Sequence, residues 1–140
     1  MRTVLATIIG LFVGFLLIAT IEMCGHAIWP PPAGLDPADP ESIKQYIDQI
    51  HVGNFILMAL GHLIGALIGG LIGFYIAKSE RIPGFIVVGL VFLATVINLL
   101  LIPHPIWFMA LDLGSVVIAF LIYLRMARNS STTHHFGTEF

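Results

Sequence analysis

Glu22 and His26 stand one helical turn apart in the stretch EMCGHAIWPPP, at the end of a long apolar segment. At about 100° per residue they share one helix face with Phe15, Ala19 and Trp29, while Cys24 points to the opposite side. Other apolar segments repeat the pattern. Asn54, Met58 and His62 fall on or beside a glycine stripe, Asn98 shares a face with Val91, Ala94 and Thr95, and Asp112 shares one with Ser115, Val116 and Ala119. With a rise of about 1.5 Å per residue, Glu22 and Asp112 lie roughly 9 Å inside their segments, Asn98 roughly 6 Å and Asn54 roughly 3 Å. His62 lies deeper, roughly 15 Å in. Every segment thus brings a hydrogen-bonding side chain to the same half, which predicts a polar pocket open or nearly open to one side.

Several chemistries fit these residue types. Glu22 and His26 at i and i+4, with Asp112 and with His104 or His51, form a possible transition-metal set. A proton or ion path would use His62 as a deeper relay. A small-ligand or lipid pocket would use Glu22 or Asp112 beside His26, and as an enzyme would make one carboxylate a general base. Haem between His26 and His62 is disfavoured by their different depths. The plainest alternative is an interhelical hydrogen-bond network that fixes the bundle. Two carboxylates facing one bundle cannot both stay ionised and unpaired, so a proton, His26 or a bound cation must compensate them. The chain has no nucleophile elbow, no Gly-rich phosphate loop and no cofactor fingerprint. The expected function is therefore that of a non-enzymatic accessory or a small-ligand- or lipid-binding membrane protein. The alternative is a metal-dependent membrane enzyme, or an ion- or proton-coupled transporter, using Glu22, His26 and Asp112.

The elements that must position these residues follow from composition. Of 140 residues 58% are hydrophobic and only 10% charged, against about a quarter charged in soluble domains. Mean hydropathy is +0.99. One cysteine excludes an internal disulfide, and sparse basic residues exclude nucleic acid as a partner. Four apolar stretches, about 4–28, 52–77, 84–102 and 106–123, each reach the roughly 20 residues that cross a bilayer, and lipid forces each into a helix. The first lacks a small-residue cleavage site before Cys24 and reads as a span rather than a signal peptide. Arg2, Lys78, Arg81, Arg125 and Arg128 fall on one side of these spans, and Lys44 with Asp36, Asp39, Glu41 and Asp48 on the other. Both termini are therefore expected in the cytoplasm and loop 29–51 outside.

Short turns at Ile82-Pro83-Gly84 and Pro103-His104-Pro105 imply an all-α, up-down-up-down bundle in one domain, 1–128. In the first outer loop, Asp39-Pro40-Glu41 signals a helix start, and Ile43, Tyr46, Ile47 and Ile50 give it an apolar face for the outer membrane surface, over the mouth of the pocket. Residues 129–140 read as a disordered cytoplasmic tail. Gly61, Gly65, Gly69 and Gly73 form an unbroken GxxxG series, matched by Ala6, Gly10 and Gly14 in the first span, so those two helices should pack closely. The same stripe is where a second copy or another membrane protein would dock. Trp107 and Tyr123 suit the aromatic belt.

The stretches EMCGHAIWPPP and INLLLIPHPIWF, with the Gly-rich second span between them, resemble a group of small bacterial four-helix membrane proteins. That resemblance covers the chain to about Tyr123 and is most specific at IPHPIWF. It implies a four-helix fold in a bacterial inner membrane and brings no activity, cofactor or catalytic residue with it.

Overall fold

A chain this apolar has to pair its backbone groups locally, and the computed structural model, which describes residues 1–31, 34, 36 and 38–133 with side chains through 129, is helical throughout. Its elements are α1 (Arg2–Ile28), α2 (Pro40–Gln49), α3 (Val52–Ile76), α4 (Arg81–Leu101) and α5 (Ile106–Thr133), with no strand among the described residues. Four of them, α1, α3, α4 and α5, are long and apolar enough to cross a membrane. Large apolar side chains such as Phe12, Leu16, Leu93, Leu100 and Leu121 lie exposed on the outside.

The helix α3 is the hub and touches α1, α4 and α5, while α4 also touches α1 and α5. Its glycines explain why. A methyl group built on Gly69 would stand 2.6 Å from the Gly10 carbonyl oxygen, and one on Gly14 would stand 2.8 Å from that of Gly65. Any side chain there would push the two backbones apart. Gly61 differs, since a methyl group there would find its nearest neighbour at 3.6 Å, an ordinary contact with α1. The helix α1 therefore covers the stripe within the chain, as the spacing predicts. Below the polar level, Phe74, Val88, Val91, Val116 and Ala119 make an apolar core.

Three expectations at the Met1 end differ from the structure. The chain reverses at residues 77–80, where Lys78 and Ser79 adopt left-handed conformations, and Ile82, Pro83 and Gly84 already belong to α4. Proline is tolerated in a first helical turn because its missing N–H would have no intrahelical acceptor there. Gly84 serves packing, since any side chain on it would strike the Tyr123 ring. Tyr123 itself is fully buried and donates its hydroxyl to the Arg81 carbonyl at 2.7 Å, so it ties α5 to α4 rather than joining an aromatic belt. Helix α5 also runs on through 129–133, into the segment expected to lack structure, because extending a formed helix adds one hydrogen bond per residue with no nucleation cost. The rest of that expected tail, 134–140, lies outside the described residues.

At the other end α2 starts as its sequence predicts. The Asp39 carboxylate caps it by accepting from the Glu41 and Ser42 N–H groups, both at 3.2 Å. Its apolar side turns onto the bundle, where Ile47 is buried against Phe55, Leu99 and Phe108 with Ile43, Tyr46 and Ile50 around it. The helix roofs that end through side chains.

Candidate functional site

Beneath α2 lies a cavity of about 320 Å³. Its polar lining is Glu22 and His26 from α1, Asn98 from α4 and His104 from the turn before α5. Ile43, Ile47, Ile50, Met58 and Ile102 supply apolar wall, and Tyr46 leans in from α2. Three of the residues expected to form a polar pocket, Glu22, His26 and Asn98, thus meet around one space, joined by His104 from the candidate metal set.

Directly behind this lining, His62 is held between two carboxyl groups. Its Nδ1–H donates to Asp112 Oδ1 at 2.7 Å, and its Nε2 faces Glu22 Oε1 at 3.9 Å, too far for a direct hydrogen bond. Asp112 is completely buried, whereas the Glu22 side chain is 31% exposed. Asp112 fixes the tautomer and direction of the imidazole, so Nε2 is left pointing toward Glu22 and the cavity. Asp112 accepts from His62 through one oxygen only; its Oδ2 has no hydrogen-bond partner among the described residues, and neither has Thr95 Oγ1. The backbone carbonyl of Asp112 accepts from the Ser115 hydroxyl at 2.7 Å.

His62 is not the deeper relay that counting from helix ends suggests. His62 is the eleventh residue of α3 and Asp112 the seventh of α5, yet the two meet, so α3 runs about one turn ahead of α5 at this level, and Phe74 with Tyr123 pair at a similar offset. Depth measured from each helix's own first residue assumes a common boundary that the bundle does not have.

Asn54 also departs from expectation. Its amide donates to the Trp29 carbonyl at 3.1 Å, and its side chain packs against Gly25, so it fastens the end of α1 to α3 outside the Glu22 cavity. Trp29 stacks on His51 with ring centroids 4.5 Å apart, and His51 Nδ1 accepts from the Gly53 N–H at 3.0 Å. His51 is therefore occupied as a helix cap.

The metal set fares poorly on geometry. Among the described residues no three His, Cys, Asp or Glu side chains converge as ligands. Of Glu22, His26, His104 and Asp112, the last holds its near oxygen against His62, and His104 turns Nδ1–H to the Ile102 carbonyl at 2.8 Å. His26 Nδ1 faces the Tyr46 hydroxyl at 3.4 Å. Burial pulls the His104 imidazole below its ordinary 6.5, partly opposed by that carbonyl and by Asp112. Burial likewise pushes the Tyr46 phenol above 10.0, so it remains a hydrogen-bond donor at neutral pH.

Sequence reasoning missed Tyr123 and the His62–Asp112 bond. The signal for Tyr123 was present: extending the face of Asp112, Val116 and Ala119 by one turn reaches it. The contact of His62 with Asp112 depends on helix offset, which no single segment encodes. No protein-family model matches this chain, and neither a curated protein nor a solved structure matches it.

Proposed function

We propose that this chain is a multi-pass protein of a bacterial inner membrane, an up-down-up-down bundle with cytoplasmic termini, that binds a small ligand or lipid headgroup in its outer half. The observation that carries this reading is the cavity under α2, where Glu22, His26, Asn98 and His104 meet above the buried Asp112–His62 pair. A network serving only as glue would use its polar atoms on one another. Here Asn98 donates no side-chain hydrogen bond to the described residues, Glu22 stands short of His62, and space remains between them. The apolar core below Asp112 weighs against a continuous conduit and therefore favours binding over conduction. The orientation rests on five of the six basic residues lying at the Met1 end. The surrounding lipid is the expected partner of the exposed apolar faces.

Native mass spectrometry of protein extracted from its own membranes tests the site. Wild type should retain a small bound molecule that an Asn98→Phe variant, with the cavity filled, loses at equal melting temperature. Bare protein in both would sink the reading. Orientation is tested separately in a Cys24→Ser background, where an impermeant thiol reagent on intact cells should label Asp39→Cys and spare Ser79→Cys; the opposite pattern inverts the topology.

A further inference from the structure

We infer that the cavity beneath α2 takes a small organic cation, a protonated amine with an apolar body, seated with its charge against Glu22. The inference rests on reading this cavity as a ligand site and adds the chemical class of the ligand.

Charge balance is the first argument. Asp112 and Glu22 flank one imidazole, that of His62, at 2.7 and 3.9 Å. One imidazole neutralises at most one carboxylate, so the other needs a proton or a cation from elsewhere. The protein supplies no permanent cation there. Arg2 donates to the Ile76 carbonyl at the far end, and Lys78, Arg81, Arg125 and Arg128 belong to that end too. Lys44 sits exposed on α2 and is absent from the cavity lining. His26 lines the cavity one turn from Glu22 and is a titratable group rather than a permanent cation, with its Nδ1 facing the Tyr46 hydroxyl, while His104 donates to Ile102 and its burial disfavours the charged form. Asp112 keeps a fully buried oxygen without a partner among the described residues, which adds to the unbalanced negative field behind Glu22.

The second argument is the surroundings. Ile43, Ile47 and Met58 offer an apolar seat, and the Asn98 carboxamide oxygen and the Tyr46 ring can receive an ammonium beside Glu22. Asp36, Asp39, Glu41 and Asp48 surround the roof against Lys44 alone, a field that draws cations to this end. An anion would meet Glu22 at close range with only the titratable imidazoles of His26 and His62, and no permanent cation, to offset it. The volume of about 320 Å³ is at the lower end for ligand pockets, which run from about 300 Å³ upward, so the occupant is small.

Calorimetric titration of the full chain in nonionic detergent, with detergent blanks subtracted, decides this using hexylamine, hexanol and hexanoate as matched probes. Hexylamine should bind at least about tenfold more tightly than hexanol, and hexanoate should not bind. Glu22→Gln, checked by its melting curve, should bring the amine down to the level of the alcohol. Should that variant fail to fold, the wild-type ranking of the three probes still decides. Equal binding of amine and alcohol, or an amine preference that survives Glu22→Gln, overturns the cation assignment while the cavity stands as a ligand site. No binding by any probe overturns both.

Discussion

At the Met1 end, helix backbones touch; at the α2 end, side chains reach across gaps. Gly10 and Gly14 bring α1 against Gly65 and Gly69 with no room for a methyl group, and Tyr123 locks α5 onto α4. Along the same helices toward α2, Ile18 and Gly61 already show ordinary spacing, and beyond them come Glu22, His62 and a cavity. The same pair of helices thus supplies a close seam and an opening, because glycine-on-glycine contacts stop where the polar residues begin and side chains fill the contacts beyond. A tight seam at one end holds the helices apart or together at the other, so the cavity needs no bulky scaffold of its own.

The largest expected effect comes from breaking the seam. Gly69→Leu should cost about 3 kcal/mol, seen as a large fall in melting temperature in detergent, because the added atoms meet backbone that cannot move aside. Gly61→Ala, one turn past the seam, should change stability by no more than about 0.5 kcal/mol. Equal losses at the two positions would erase the distinction between the ends. Next is Asp112→Ala, expected to cost about 2 kcal/mol by leaving His62 without its acceptor. Glu22→Ala should leave the melting temperature unchanged or raise it, since the carboxyl is partly exposed and makes no hydrogen bond to His62. If Glu22→Ala proved as costly as Asp112→Ala, the polar level would be glue throughout.

The smallest effect is a pH dependence at the roof. His104 has its imidazole pulled below 6.5 in the folded protein, so the unfolded chain binds a proton first as pH falls. Stability from this residue is full above 6.5, declines as pH drops through 6.5, and levels off at the lowered folded value. Screening at this partly buried site keeps the loss small. Melting curves at several pH values should show a correspondingly weaker dependence in His104→Gln; an unchanged profile would remove His104 as the cause.

How far the sequence could be read depended on the range of each interaction. The α2 start was legible because Asp39, Pro40 and Glu41 act on their own neighbours. The α1–α3 seam was legible because spacing of four survives whatever the partner does. The chain reversal was misplaced because Pro83 and Gly84 suit a turn and a first helical turn equally well, and only Tyr123, some forty residues on, gives Gly84 its role. The site residues Glu22, His26, Asn98 and Asp112 came from helix faces, whereas the departure of Asn54 and the bond from His62 required the offsets between helices.

The stacked rings of Trp29 and His51, 4.5 Å apart, also bear on how α2 behaves. They bring the entry and exit of the first loop side by side and are backed by the Asn54 bond to Trp29. Docking of α2 is then an intramolecular step, with the apolar face of the helix held at an effective concentration in the millimolar range. The apolar contacts around Ile47 then act on a helix already delivered to its seat. The roof over the space below thus depends on the tether and on the side chains of α2, both of which can change without disturbing the glycine seam.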